Sequence, residues 1–192
     1  MAEVLLFHHV QGLTEGVKAF ADQLRAAGHT VHVPELLEGQ LFGSIAEGVA
    51  HVREIGFGTV GERGAAAAEK LGNDLVYAGF SLGVVPAQLL TQTRPGARGA
   101  LFFSSCMPLE EFGDGTWPDG VPLQVHGMDG DPEFADSGDL EVARAVVEAV
   151  DDAELFLYPG KGHLFADSSL PEYDEAAATL QLQRVLEFLA RV

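Results

Sequence analysis

The strongest constraint on the fold of this chain is a rhythm. Six short apolar or β-branched runs alternate with longer amphipathic stretches. The runs cover 4–7, 30–33, 75–80, 99–104, 123–126 and 154–157, and Gly, Pro, Ser or His closely follows or ends each one. Helices are expected between them at 14–27, 45–55, 59–71, 82–93, 139–150 and 174–190. Thr14 before Glu15, with Gly28 at the far end, suits the caps of the first helix. The last helix puts Ala177, Leu180, Val185 and Leu189 on roughly one face, for packing on a sheet. Strands alternating with helices predict an α/β fold, a mostly parallel central sheet with helices on both faces. A chain of 192 residues without repeat or linker suits a single domain over 1–192. Ligand sites in such sheets lie beyond the carboxyl ends of the strands.

Those ends are chemically rich. Gly79-Phe80-Ser81-Leu82-Gly83 closes the third run and opens the fourth helix. This is the G-x-S-x-G pattern of a nucleophile elbow, in which a sharp turn presents the serine and the glycines allow strand and helix to approach. The helix start supplies free N–H groups, and the Leu82 N–H is the natural oxyanion donor. An ordinary strand-to-helix turn has the same composition. The strand before Ser81 and the helix after it favour the nucleophile. Pro86 is compatible with the first turns of that helix and is expected to kink it if it lies deeper.

A serine hydroxyl needs a base to take its proton. His29, His32 and His51 fall beside a strand or within a helix. His163, in Pro159-Gly160-Lys161-Gly162-His163, follows the last strand and precedes the last helix. It also comes last in the chain order Ser, acid, His. The acid belongs after the fifth strand, where Asp129 and Asp131 share a glycine-rich turn; spacing alone leaves both open.

Other features narrow the function classes. A formal net charge of −18 disfavours nucleic acid and anionic membrane surfaces as partners. No apolar run reaches the ~20 residues of a membrane span, and Met1-Ala2-Glu3 lacks the basic start of a secretory signal. The one cysteine, Cys106, forms no intramolecular disulfide framework and suits a reducing compartment. A cytoplasmic protein acting on a small-molecule substrate is expected, with its oligomeric state open. His8, His9, His126 and His163 lack metal-ligand spacing. Gly56-Phe57-Gly58 lies between helices, so it does not support dinucleotide binding. No metal and no cofactor are expected.

With these residues in place, the chain resembles the dienelactone hydrolase family along nearly its whole length. The most specific segment is Gly162-His163-Leu164-Phe165-Ala166-Asp167-Ser168-Ser169, followed by Tyr173 and an Ala-rich helix. The resemblance implies an α/β-hydrolase fold without a large lid domain. It also implies Asp131, five positions after His126, as the acid, and the Val10 amide as second oxyanion donor. His9, Phe80 and Phe165 are expected around the substrate pocket, and Trp117, in the Gly/Pro-rich segment 113–122, is expected either to cover that pocket or to pack under its loop. Three departures stand out: Ser81 replaces the family's cysteine, His9 its glutamate, and Asp167 its substrate-holding arginine. An anion in place of that cation is expected to repel an anionic lactone. The expectation is a serine hydrolase of a small neutral ester, thioester or lactone. The alternatives are a true dienelactone hydrolase and a catalytically silent hydrolase-like binding protein.

Overall fold

The computed structural model describes residues 1–192. Six strands, β1 (Glu3–Phe7), β2 (Thr30–His32), β3 (Val76–Phe80), β4 (Gly99–Phe103), β5 (Leu123–Met128) and β6 (Ala153–Tyr158), form one sheet. Its order is β2-β1-β3-β4-β5-β6, and every pairing is parallel. The six helices are α1 (Glu15–Ala26), α2 (Ile45–Ile55), α3 (Phe57–Ala68), α4 (Val84–Thr93), α5 (Asp139–Ala149) and α6 (Glu175–Leu189). The sheet is parallel throughout, and no large extra domain covers it.

Side-chain alternation along the strands sorts the core into two layers. Val4, Leu6, Val76, Ala78, Phe80, Leu101 and Phe103 face α1 and α6. Leu5, Phe7, Tyr77, Phe102 and Val125 face residues of α2, α3, α4 and α5. Thr14 caps α1 through the Val17 N–H, as expected. In α6, Ala177, Val185 and Leu189 are buried as expected, and one position differs. Leu180 is exposed, while Gln181 is buried with both side-chain polar atoms unpaired. A 3₁₀ turn, Ser81–Gly83, precedes α4, so Pro86 falls in the first α-turn, where its missing N–H costs no bond.

The strand order reverses direction at β1, flanked by β2 and β3. The crevice beyond β1 and β3 is therefore a topological switch point, the usual place for a ligand in such a sheet. Val10 follows β1, and Ser81 follows β3. No helix is long and apolar enough to cross a membrane.

Candidate active site

Ser81 has a φ of 48°, a left-handed conformation that non-glycine residues rarely adopt. The turn is forced by close packing beneath it. A Cβ on Gly79 would collide with the Gly83 carbonyl, and one on Gly83 with the carbonyl of Phe7 on β1. Both glycines are required because helix, turn and neighbouring strand approach backbone to backbone. The hydroxyl of Ser81 is thereby lifted to the end of the sheet and remains partly exposed.

The Ser81 Oγ lies 2.7 Å from His163 Nε2, and His163 Nδ1 lies 2.7 Å from Asp131 Oδ2. Asp131 is fully buried, and its other oxygen accepts the Glu133 N–H at 2.9 Å. An ionised Asp131 therefore takes the His163 Nδ1–H and leaves Nε2 free to accept from the serine. The histidine loop is held from three sides: Ser104 Oγ donates to the His163 carbonyl at 2.6 Å, the His163 N–H donates to Glu172, and the Gly162 N–H faces Met128 Sδ. Asp129 points elsewhere and accepts the Gly160 N–H at 3.2 Å. Of the two acids that spacing leaves open, only Asp131 meets the imidazole.

The β1 loop is fixed by a second, buried His–Asp pair. The Gln11 N–H donates to His9 Nδ1 at 3.2 Å, so His9 Nε2–H donates to Asp167 Oδ2 at 2.8 Å. Thr14 and Ser169 also donate to Asp167. Burial raises the Asp167 carboxyl, but these hydrogen bonds outweigh it and hold the group at about 2. For His9, burial prevails over the attraction of Asp167 and lowers its pKa. The pair is thus a neutral imidazole on a carboxylate. It ties the Val10 loop to the loop that carries His163. Asp167 is 4% exposed and turned away from the cleft. The charge repulsion expected of it at the substrate is corrected accordingly, because its charge is spent on hydrogen bonds inside the fold. Val10 donates to no backbone carbonyl, and Leu82 follows Ser81 directly at the helix start.

Ser81 and His163 open onto a cleft of about 210 Å³ on the α2–α5 side of the sheet, where Val10 and Leu82 also lie. The other four pocket residues expected from the sequence are not in its lining. Phe80 points to the opposite face and packs on Phe20 and Phe103, as strand alternation from Tyr77 and Gly79 demands. Phe165 is buried on that face against Tyr158. Trp117 packs edge-on against Phe102 and donates to the Val121 carbonyl, beneath its loop. His9 is sealed under the loop by its bond to Asp167. The lining instead includes Val49, Phe57, Val85, Met107, Glu133 and Asp139. Their only sequence signal was position, in the segments that follow the strands.

His8 and His126 are occupied separately. His8 Nε2 accepts the Leu36 N–H, and His126 bonds Tyr158 and Gln124 inside the sheet. Cys106 is buried, 1% exposed, and burial pushes its thiol up to about 12, which leaves it inert as a nucleophile.

An all-parallel sheet with a strained serine at a strand-to-helix turn, within reach of a histidine after the last strand, defines an α/β-hydrolase. Comparison with known proteins takes this further. The dienelactone hydrolase family matches residues 1–192, and the chain belongs to that family, as a hydrolase acting on ester bonds. Among solved structures, a dienelactone hydrolase-like promiscuous phosphotriesterase from metagenomic libraries is 18% identical with a TM-score of 0.80, over 100% of this chain and 86% of that one. A Klebsiella pneumoniae protein assigned as a dienelactone hydrolase is 19% identical with a TM-score of 0.77, over 100% and 88%. A thermophilic esterase from Thermogutta terrifontis, with butyrate bound, is 16% identical with a TM-score of 0.63, over 99% and 83%. At these identities the likeness is one of fold. No curated protein matches the sequence.

Proposed function

We propose that the chain is a serine hydrolase that cleaves a small, uncharged carboxylic ester, thioester or lactone through an acyl-enzyme. The observation that carries this reading is the hydrogen-bonded line from Ser81 Oγ through His163 to Asp131, 2.7 Å at each step, at the floor of an open cleft. Ser81 attacks the carbonyl carbon while His163 Nε2 takes its proton. Asp131 holds the imidazole in the required tautomer and stabilises the imidazolium. The Leu82 and Val10 amides hold the oxyanion. His163 then protonates the leaving group, and water, deprotonated by the same nitrogen, releases the acid and restores Ser81.

The preference for an uncharged substrate rests on the cleft itself. Glu133 and Asp139 are in its lining, and no Lys or Arg is. A carboxylated lactone would meet like charge without a cation to hold it, so it is the less favoured substrate. The bound butyrate of the Thermogutta terrifontis esterase accords with a short acyl group on this frame. The Ser81→Ala variant is expected to fold and to lose at least about 10³-fold in kcat on p-nitrophenyl acetate. Turnover retained in that variant overturns the reading.

A further inference from the structure

The cleft at Ser81 does not end at the small volume above the serine. On one side it shares Phe57, Val85 and Met107 with a second cavity of about 420 Å³. That cavity lies between α3 and α4, walled by Gly61 and Ala65 on one helix, by Leu89 on the other, and by Phe112 from the loop after β4. On the other side it shares Ile45, Val49 and Glu133 with a trough of about 680 Å³ that contains Gln11, Arg53 and Glu172. One exit from the serine is thus mainly apolar, and the other mixes apolar with charged and polar side chains.

Three observations suggest that the apolar exit receives a ligand. Phe57, at the junction of cleft and groove, is 49% exposed, a large ring that the fold itself leaves uncovered. Exposed apolar surface continuous with a site is what an apolar ligand covers. Two helical glycines in the lining of the groove are, moreover, not required by packing. A Cβ at Gly58 would meet nothing within 4 Å, and one at Gly61 would sit at ordinary contact, 3.4 Å from Leu89 Cδ2. By contrast, Gly64, on the same helix, is forced by collision with Pro86. Glycine disfavours a helix interior, so its use where alanine would fit leaves open space as its effect. Finally, the charged residues beside this groove, Glu62 and Glu111, are both acidic. They repel a carboxylate and leave an uncharged chain unopposed.

We infer that the substrate ester carries an uncharged aliphatic chain that lies in the groove between α3 and α4, with its polar end toward the Arg53 trough. This inference rests on Ser81 as the nucleophile. It deepens that reading by naming the substrate class as an amphiphilic ester. The chain reaches the groove past Phe57 and Met107, and each methylene that leaves water there strengthens transition-state binding, because the reacting carbonyl is already fixed at Ser81.

The test is a chain-length profile in two series, p-nitrophenyl acyl esters from acetate to octanoate and n-alkyl acetates from ethyl to octyl. In one of them kcat/KM is expected to rise about four-fold per added methylene until the chain outgrows the groove. The acyl series rising assigns the groove to the acid part, and the alkyl series rising assigns it to the alcohol part. Gly61→Leu and Gly58→Leu, which fill the groove from α3, are each expected to cut the ratio of longest to shortest substrate at least ten-fold. The ratio is read within each variant, and either one suffices if the other does not fold. Flat profiles in both series, with acetate turnover still dependent on Ser81, overturn the groove and leave the serine mechanism standing. A chain-length gain that survives in every folded glycine variant also overturns it. Turnover that does not depend on Ser81 removes both.

Discussion

His126 shows how far burial alone can move a side chain. It is fully buried in β5, with Nδ1 2.8 Å from the Tyr158 hydroxyl and Nε2 3.2 Å from Gln124 Oε1. Burial, with a smaller contribution from the Arg184 charge, pushes its pKa from 6.5 down to about 3. Above pH 6.5 the imidazole is neutral in both the folded and the unfolded chain. Below that, the unfolded chain takes up a proton that the folded one refuses, so stability falls as pH drops toward 3. The loss should reach about 3 kcal/mol by about pH 4. His9, also lowered by burial, acts in the same direction. Urea midpoints should therefore fall steeply from pH 7 to about 4, and His126→Gln, though less stable at pH 7, should lose much of that slope. An unchanged slope in the variant contradicts this account.

At the same scale, the sequence exposes some residues and hides others. Ser81 is legible because the elbow needs glycines on both sides, and His163 because of its order in the chain. Asp131 emerged from the family resemblance, since Asp129, two residues earlier, occupies an equally suitable turn. Phe80 and Phe165 lie away from the cleft because nearness in sequence to Ser81 or His163 says nothing about the face on which a side chain lies. Asp167 was misread for a similar reason: its partners His9 and Thr14 lie at the other end of the chain.

At the scale of elements, all six strands and all six helices appear where the alternation of the sequence places them, with ends shifted by a few residues. Period and length carry that information locally. The buried face of α6 was less legible, since Gln181 rather than Leu180 turns inward, and which residue meets the sheet depends on the helix's rotation against β-strand partners distant in sequence. The elbow is likewise an arrangement between elements. Gly83 packs under Ser81 against the backbone of β1, where a Cβ would strike the Phe7 carbonyl and come within 2.8 Å of the His8 carbonyl. Gly83→Ala must push β1 and its Val10 loop away from the serine. It should cost about 1–3 kcal/mol of stability and reduce turnover beyond the stability loss. Gly72→Ala, whose Cβ would meet nothing within 4 Å, is the control and should change stability by less than about 0.5 kcal/mol. A Gly83→Ala variant that melts with the wild type contradicts the close packing.

For the whole molecule, the parallel sheet does more than hold a core. Its order brings the segments after β1, β3, β5 and β6 to one end, and these contribute Val10, Ser81, Asp131 and His163 from well-separated parts of the chain. The formal charge of −18 and the acidic lining of the cleft act in the same sense against anionic substrates. The dimensions of the apolar groove were beyond sequence reading, since they depend on how α3 and α4 sit against each other. The central claim is that this assembly makes Ser81 a nucleophile. Its most direct measurement is intact-protein mass spectrometry after treatment with a fluorophosphonate, followed by peptide mapping. One adduct per chain is expected, located on Ser81, absent from Ser81→Ala and formed far more slowly in His163→Ala. A folded protein that remains unlabelled, or that carries the adduct on another residue, contradicts it.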